Sequence, residues 1–333
     1  MTTHIAINGF GRMGRAVCRI AHDRDLDIDI VAVNELGNVA TMANLLARDS
    51  VHGRFGANVT AVEGGLEIDG RLVSFYAQPD PTRLPWHELG VDVVIEATGH
   101  FRTRAAAAAH LEAGAQRVIV SAPCKDADAT FVIGVNDDDF DPARHHVVSN
   151  ASCTTNCLVP MVKVLQDRFG IEQGFITTVH AYTGDQSLVD GPHKDARRAR
   201  AAALNIVPTS TGAARATSAV IAAMEGRLDG TALRVPVADG SITDLVVLVD
   251  RATTVDEVNA AFAEATVGSL ADVLEYSTEP LVSTDIVGSA ASCVFDAPLT
   301  MVGGRLVKVF GWYDNEWGYA NRLAELATLV GRG

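Results

Sequence analysis

The sequence predicts an α/β protein in two parts: an N-terminal doubly wound parallel sheet and a C-terminal α+β domain with a mixed or antiparallel sheet. The chain has 333 residues, which at about 150 residues per domain is enough for roughly two domains. Up to about residue 150, short apolar strands alternate with helical stretches, the pattern of a parallel sheet covered by helices. After Cys153 the strands are longer and separated by short turns, which favours antiparallel pairing.

The elements of the first part follow from apolar periodicity and turn residues. A short apolar run precedes a glycine-rich turn, after which Ala16, Val17 and Ile20 form one helical face. Asp69-Gly70 between two apolar runs indicates a hairpin, and Gly114 stops an Ala-rich helix. We expect strands over 4–8, 29–33, 66–68, 71–76, 91–96, 118–121, 131–134 and 147–149, and helices over 11–22, 41–47 and 104–113.

The second part begins with a different pattern, so we place the domain boundary near residue 150. The first domain is expected to cover 1–150 and the second 151–316, followed by an amphipathic C-terminal helix within 317–333. We expect helices over 155–168 and 317–330, and strands over 175–180, 232–236, 241–250 and 306–313.

Charge and composition exclude several classes of protein. Lys and Arg number 27 against 41 Asp and Glu, a formal charge of −14. That balance argues against a nucleic-acid binder and against docking on anionic lipid, but not against a small anionic substrate. No apolar run is long enough to span a membrane and no signal peptide is visible. Five cysteines without zinc spacing predict free thiols, a cytoplasmic protein and no metal site.

A glycine-rich turn carries the cofactor signal. The turn reads Gly9-Phe10-Gly11-Arg12-Met13-Gly14, a G-x-G-x-x-G that follows a strand and opens a helix. Gly9 permits the tight turn, Gly11 lets a pyrophosphate approach the backbone, and Gly14 lets helix and strand pack closely. The segment therefore predicts a Rossmann-type dinucleotide site.

Glu35 ends the next strand, where a carboxylate binds the ribose hydroxyls and repels a 2′-phosphate. This favours NAD over NADP, although Arg12 and Arg15 are nearby cations. Thr98-Gly99 and Ser121 lie at the carboxyl ends of further strands, where ligands bind in open α/β sheets.

Cys153 is the candidate nucleophile. It lies within Ser149-Asn150-Ala151-Ser152-Cys153-Thr154-Thr155-Asn156-Cys157, which follows a strand and opens a helix. The positive end of the helix dipole stabilises a thiolate, and Thr154 with Thr155 and free amides can form an oxyanion site. The alternative is that Cys153 and Cys157 are small buried hydrophobic residues, but their Ser, Thr and Asn neighbours are uncommon in a hydrophobic core.

His180 is the candidate base, because it ends an apolar strand and precedes a polar loop. His193, His145 and His146 are weaker candidates. The sequence leaves open whether His180 meets Cys153.

Anion-binding residues form a third group. Residues 193–200 are a basic island, 208–214 a hydroxyl-rich turn before a helix, and Arg234 lies in an apolar strand where it needs an anionic partner or an internal salt bridge. Together with the dinucleotide site and the activated cysteine, these features predict an aldehyde dehydrogenase acting on a phosphorylated substrate.

The chain resembles the phosphorylating glyceraldehyde-3-phosphate dehydrogenases. The matching segments run in the family's order through nearly the whole chain: Ile7–Gly14, Ser149–Cys157, Thr178–Thr183, Pro192–Asp195, Thr209–Ala214, Leu233–Pro236 and Trp312–Gly318. The nonapeptide around Cys153 is highly specific to this superfamily.

The resemblance implies a role for each matching residue. Cys153 adds to the aldehyde, His180 removes a proton as hydride passes to NAD, and inorganic phosphate attacks the resulting thioester. Ser152, Thr154, Thr211 and Gly212 match the inorganic-phosphate site. Thr183, Asp185, Arg198 and Arg234 match the site of the substrate phosphate. Asn315 would hold the nicotinamide carboxamide, the loop over about 181–205 would reach a neighbouring subunit in a homotetramer, and the helix after Trp317 would return to the first domain.

Some features depart from that pattern. Glu35 stands where the family's NAD enzymes usually carry Asp, and residues 34–36, 84–92 and 314–322 also resemble the sister erythrose-4-phosphate dehydrogenases. Residues 192–195 and 211–214 keep the glyceraldehyde-3-phosphate pattern. Cys124 and His100 are unusual for the family and leave open a specialised copy, such as an inhibitor-tolerant or arsenate-associated enzyme.

Overall fold

The first sheet is mostly parallel and is formed by the N-terminal strands. The computed structural model describes residues 2–24 and 26–332. Its N-terminal strands are β1 (Thr3–Asn8), β2 (Ile28–Asn34), β3 (Arg48–Asp49), β4 (Gly53–Arg54), β5 (Val59–Val62), β6 (Gly65–Ile68), β7 (Arg71–Tyr76), β8 (Val93–Glu96), β9 (Arg117–Val120), β10 (Ala129–Thr130) and β11 (Val147–Ser149). The helices are α1 (Arg12–Asp23), α2 (Val39–Ala47), α3 (Arg104–Ala107) and α4 (Ala109–Glu112).

The order of strands brings three polar strand ends together. The order is β10-β11-β9-β8-β1-β2-β7-β6-β5, parallel from β10 to β7 and antiparallel beyond it. The short strands β3 and β4 form a separate two-stranded antiparallel sheet. Asn8 at the end of β1 lies opposite Asn34 on one side and Glu96 on the other. Apolar residues of β1 and β8 are fully buried, so the polar residues concentrate at the carboxyl edge of the sheet.

The second sheet is mixed. Its elements are α5 (Cys153–Phe169), β12 (Ile171–Ala181), β13 (Val207–Ser210), α6 (Ala213–Ser218), β14 (Leu228–Val235), β15 (Ser241–Val249), α7 (Val255–Thr266), β16 (Leu274–Ser277), α8 (Ser283–Ile286), β17 (Cys293–Asp296), β18 (Met301–Gly303), β19 (Leu306–Tyr313) and α9 (Trp317–Gly331). The order is β13-β14-β12-β15-β19-β17-β16, with β18 beside β19. The pairs β12–β14 and β16–β17 are parallel, and the others are antiparallel.

Short 3₁₀ turns connect several elements. They cover Pro81–Arg83, Asp137–Asp139, Ala202–Leu204, Ala222–Met224 and Ala297–Leu299.

The chain divides into two compact units. One runs up to Ala151 and resumes at Ala320, and the other comprises Ser152–Tyr319. Within the first unit, Arg24 donates to Asn321 at 2.6 Å and to Glu325 at 2.8 Å, which ties α9 to the segment after α1.

Three local expectations are wrong. Residues 131–134 form a turn because Asn136 Oδ1 accepts the Val132 N–H at 2.9 Å and Asp137 Oδ1 accepts the Gly134 N–H at 2.7 Å. These local bonds replace a sheet ladder. The Ala-rich helix breaks at Ala108 into α3 and α4. The hydroxyl-rich segment is partly strand, because Val207–Ser210 pairs with β14.

Candidate active site

The glycine-rich turn is shaped for close approach of a ligand to the backbone. Gly9 has φ +95°, and a Cβ there would lie 2.6 Å from the Thr98 amide nitrogen. A Cβ on Gly14 would lie 2.4 Å from the Gly9 carbonyl oxygen, so α1 packs tightly on β1. A Cβ on Gly11 would meet no atom within 4 Å, since this glycine faces open space. The turn therefore fits a pyrophosphate over Gly11.

Glu35 closes the turn from the end of β2. Its carboxylate accepts the Phe10 N–H at 2.9 Å and the Gly37 N–H at 3.2 Å. A cavity of about 200 Å³ lies beside it, lined by Gly9, Gly11, Asn34, Glu35, Leu36, Ala97, Thr98 and His100. Sequence reasoning missed Asn34, Leu36 and Ala97 and gave His100 no role, although their positions after strand ends are a usable signal.

A buried carboxylate fixes the neighbouring turn. Glu96 accepts the Thr98 N–H at 2.8 Å and also bonds the Thr98 hydroxyl. Asn8 donates to the other Glu96 oxygen at 2.5 Å, and the Ser121 N–H donates to the Glu96 carbonyl at 2.9 Å. Gly99 follows with φ +74°. Thr98 thus lines the cavity, whereas Ser121 is held one strand away from it.

The two nearby cations, Arg12 and Arg15, each contact a polar group of the first unit. Arg12 pairs with Asp49 at 2.5 Å, and Arg15 donates to the Phe10 carbonyl at 2.8 Å. Phe10 is fully buried, and Met13 is half-buried. The Glu35 carboxylate lies where it would repel a 2′-phosphate, which favours NAD.

The candidate nucleophile begins α5. The Ser152 hydroxyl caps the helix by accepting the Thr155 N–H at 3.1 Å, and Cys153 is the first helical residue. The Cys153 sulfur lies 3.4 Å from His180 Nε2 at the end of β12. The structure therefore brings together the two residues whose contact the sequence left open.

The pKa values of Cys153 and His180 do not favour the thiolate that the helix start predicts. Burial raises the pKa of the Cys153 thiol to about 11, while the Arg234 charge and hydrogen bonds from Thr154 oppose that rise. Burial, followed by the Arg234 charge, lowers the pKa of His180 to about 3. The resting pair is therefore a neutral thiol and a neutral imidazole, because burial outweighs the favourable helix start.

Arg234 controls which ring nitrogen of His180 carries the proton. Arg234 Nη1 lies 2.6 Å from His180 Nδ1 and 3.0 Å from the Ala181 oxygen, and Nδ1 lies 2.7 Å from that oxygen. A guanidinium only donates, so donation to Nδ1 leaves the proton on Nε2, facing the sulfur. When Nδ1–H donates to Ala181 instead, Nε2 accepts the thiol proton. Only the second arrangement makes His180 a base.

Arg234 has no carboxylate partner among the residues that the structure describes, and its Nε forms no hydrogen bond there. The internal salt bridge weighed from the sequence is therefore absent from the described ranges. A partly buried guanidinium without a carboxylate partner is suited to bind an anionic ligand.

Other predicted anion-site residues lie in the loop after β12. Arg198 donates to Asp185 at 2.5 Å and to Thr209 at 2.9 Å, and both charges act on Arg234. The Thr183 N–H donates to Gln186 at 3.3 Å. Thr211 accepts the Ala213 N–H at 3.2 Å. Within the described ranges, neither Thr211 nor Gly212 hydrogen-bonds Cys153, His180 or Arg234, so the structure does not join them to the pair.

Asn315 has a fixed side chain. The Ser241 hydroxyl donates to Asn315 Oδ1 at 2.6 Å and accepts the Ala181 N–H at 3.0 Å. Because Oδ1 is engaged, the amide NH₂ is the end that remains to bind a ligand. Sequence reasoning did not find Ser241, which has no local motif.

Comparisons with known proteins match both units. A family model described as "Glyceraldehyde 3-phosphate dehydrogenase, NAD binding domain" matches residues 3–104, and one described as "Glyceraldehyde 3-phosphate dehydrogenase, C-terminal domain" matches 152–315. The chain belongs to the glyceraldehyde-3-phosphate dehydrogenase family. The resemblance found in the sequence is thereby confirmed, as is the two-part α/β fold class.

Full-length relatives carry the same family name. A glyceraldehyde-3-phosphate dehydrogenase of Streptomyces avermitilis is 59% identical over 331 residues, 99% of each chain. Those of Streptomyces coelicolor and Geobacillus stearothermophilus are 55% and 52% identical, each over at least 98% of both chains. None of these three carries an erythrose-4-phosphate name, so the comparisons do not favour the sister enzyme or a specialised copy. No described helix of this family member is long and apolar enough to cross a membrane.

Proposed function

We propose that the protein catalyses the NAD-dependent oxidative phosphorylation of D-glyceraldehyde 3-phosphate to 1,3-bisphosphoglycerate, a step of glycolysis. The observation that carries the proposal is the Cys153 sulfur at 3.4 Å from His180 Nε2, at the start of a helix. The relatives are named for this activity, and the NAD-binding family model supports the cofactor. We further propose a Rossmann unit that binds NAD and a second unit that carries catalysis.

The chain's own residues account for the covalent steps. The Cys153 sulfur adds to the aldehyde carbon while its proton passes to the carbonyl oxygen, which gives a thiohemiacetal. His180 Nε2 accepts the proton of its hydroxyl, and NAD, when bound, supplies the hydride acceptor. Inorganic phosphate attacks the thioester left on Cys153, and the bond from sulfur to the acyl carbon breaks as the acyl phosphate leaves. The thiolate that leaves takes the proton from the His180 imidazolium, which restores the neutral thiol and the neutral imidazole.

An anion bound at Arg234 makes His180 a better proton acceptor. The Arg234 charge lowers the pKa of His180, and a bound phosphate offsets that charge. It also draws the guanidinium away from Nδ1, so that Nε2 is free to accept a proton. We propose Thr183, Asp185, Arg198 and Arg234 for the substrate phosphate and Ser152, Thr154, Thr211 and Gly212 for inorganic phosphate.

Cofactor contacts are proposed from the first unit and from Asn315. The open space over Gly11 fits a pyrophosphate, and the Glu35 carboxylate suits a ribose diol. Contacts are proposed for Gly9, Phe10, Gly11, Arg12, Met13, Gly14, Glu35, Thr98, Gly99 and Ser121. The Asn315 NH₂ end suits the carbonyl oxygen of the nicotinamide carboxamide.

Assembly and location are also proposals. We infer a homotetramer and a cytoplasmic location. Apolar side chains exposed in the loop after β12 support assembly, and all five cysteines are free.

The test is NADH formation at 340 nm with glyceraldehyde 3-phosphate, with and without inorganic phosphate. We expect phosphate-dependent turnover with NAD and weak turnover with NADP. Cys153→Ala should abolish it, and His180→Asn should lower kcat about 10²–10⁴-fold. Full activity of Cys153→Ala would refute the mechanism. Phosphate-independent turnover, with erythrose 4-phosphate preferred in a parallel assay, would assign the sister reaction instead.

A further inference from the structure

A buried carboxylate in the first unit joins three segments of the chain. Glu96, at the end of β8, is 1% exposed. One of its oxygens accepts the N–H and the hydroxyl of Thr98. The other accepts Asn8 Nδ2 at 2.5 Å and His110 Nε2 at 3.2 Å, and both of these side chains are buried. Both oxygens of Glu96 therefore act as acceptors.

A sequence of donors fixes the orientation of the two amides near Glu96. The Gln78 N–H can only donate, and it lies 2.8 Å from Asn34 Oδ1. Asn34 Nδ2 then donates to Asn8 Oδ1 at 2.7 Å, so Asn8 Nδ2 is the end that donates to Glu96. Asn34 and Thr98 both line the cavity of about 200 Å³ described above. Glu96 thus holds one lining residue directly and the other through Asn8.

The ring proton of His110 is placed by the same kind of argument. The Trp86 indole N–H can only donate and lies 3.0 Å from His110 Nδ1, so the ring proton is on Nε2, which faces Glu96. Asn8 Nδ2 and His110 Nε2 lie side by side, 3.3 Å apart, because both donate to the same oxygen. The donors of this cluster are therefore matched as long as residue 96 presents two acceptor oxygens.

Thr98 also lies against the glycine-rich turn. A Cβ on Gly9 would lie 2.6 Å from the Thr98 nitrogen and 2.8 Å from its Cα. Because the two backbones are this close, a displacement of Thr98 changes both the turn and the cavity beside it.

We propose that Glu96 is a positioning residue for the dinucleotide, because it fixes Thr98 directly and Asn34 through Asn8 in the lining of the cavity. The inference rests on the proposed NAD site of the first unit. It concerns the affinity for the cofactor and is separate from the chemistry at Cys153.

The experiment measures NAD binding to the full chain by calorimetry, with urea unfolding followed in parallel. Glu96→Gln has nearly the same shape, but its NH₂ group faces donors in place of an acceptor oxygen. An unmatched buried donor changes an equilibrium by about tenfold or more, so we expect the Kd for NAD to rise by at least about tenfold. ADP-ribose lacks the nicotinamide and should lose affinity by a similar factor, because the cavity lies beside Glu35.

The combination of Asn8→Asp with Glu96→Gln exchanges the amide and the carboxylate. The new carboxylate at position 8 can accept from Asn34, from the amide at position 96 and from His110 Nε2, which lies 3.3 Å away. The amide oxygen at position 96 can still accept both Thr98 groups. The double variant should therefore bind NAD within about threefold of wild type, whereas Asn8→Asp alone, with two adjacent carboxylates, should bind it more weakly.

Asn136→Ala is the matched control in the same unit. Asn136 holds a turn through the Val132 N–H and the Thr130 oxygen, and it is not among the residues that line the cavity. Its loss should lower the free energy of unfolding but leave the Kd for NAD within about twofold of wild type.

The measured affinities decide the proposal. A folded Glu96→Gln that loses stability but binds NAD and ADP-ribose as wild type does refutes it, since the role of Glu96 is then structural alone. A loss confined to NAD, or a double variant no better than the single ones, also refutes it.

A gentler variant decides the matter if Glu96→Gln does not fold. His110→Phe keeps an aromatic ring between Trp86 and Phe101 and removes one donor to Glu96. We expect its Kd for NAD to rise by at least about threefold, and an unchanged Kd refutes the proposal. If the wild-type protein binds neither NAD nor ADP-ribose, the proposed NAD site fails instead, whatever the variants do.

Discussion

At the scale of single residues, the buried carboxyl group of Asp239 has a strongly raised pKa. Asp314 accepts three backbone N–H groups, from Gly288 at 2.7 Å, Glu316 at 2.8 Å and Trp317 at 2.6 Å. Burial, followed by the charges of Asp314 and Glu316, raises the pKa of Asp239 to about 8. Asp239 is therefore mostly protonated at neutral pH.

The raised pKa of Asp239 predicts that the stability of the fold depends on pH. The folded state retains a proton on Asp239 that the unfolded chain, with an ordinary pKa of 3.8, releases. The free energy of unfolding should therefore fall as the pH rises from about 4 to about 8, and this contribution should level off above pH 8. Asp239→Asn keeps a hydrogen-bond donor and removes the titration. Urea unfolding between pH 5 and 8 should show a flatter dependence in the variant, and an unchanged slope would contradict the assignment.

Which site residues a sequence reveals depends on whether their signal is local. Cys153 follows a strand and opens a helix, and His180 ends a strand, so both were candidates before any contact was known. Ser241 lies in an ordinary strand, and only the tertiary pairing of β12 with β15 brings it to the site. The ionisation of Cys153 was also out of reach, because burial depends on the whole fold.

At the scale of elements, substitutions at two glycines of one turn test helix packing and cofactor binding separately. Gly14→Ala places a Cβ 2.4 Å from the Gly9 oxygen and 2.9 Å from Ile7 Cγ2. We expect a loss of about 1–3 kcal/mol in the free energy of unfolding, as for other overpacked sites. Denaturant unfolding measures it, and a loss below about 0.5 kcal/mol would show that α1 moves away easily.

Gly11→Ala is the counterpart in the same turn. Its Cβ meets no atom within 4 Å, so stability should be unchanged, whereas NAD binding, measured by calorimetry, should weaken because the methyl group occupies the pyrophosphate position. Unchanged NAD affinity would place the pyrophosphate elsewhere.

Elements with strong periodicity were predicted well, and those set by side-chain hydrogen bonds were not. The βα alternation gave β1, α1 and β2 close to their bounds. The apolar segment 131–134 predicts a strand, yet hydrogen bonds to Asn136 and Asp137 fold it into a turn. Apolar content alone does not distinguish the two conformations.

At the scale of the whole molecule, exposed apolar side chains predict assembly. Leu188, Val189, Leu204 and Ile206 are 81, 72, 82 and 67% exposed. Leu188→Asp should weaken the proposed tetramer at least about tenfold in its dissociation constant, because a buried charge is costly at an interface. Sedimentation velocity measures the change. Val267→Asp, an equally exposed position at 86% on another segment, should leave assembly unchanged. A monomeric wild type would refute the proposal.

The parallel pairing of β12 with β14 has a consequence for how this protein can vary. His180 lies opposite Arg234 in that ladder, so neither can shift by one residue without turning its side chain to the other face. Their spacing is set by strand register and not by the length of chain between them. Insertions and deletions in the loops of the intervening chain can therefore accumulate during evolution while His180 and Arg234 stay aligned.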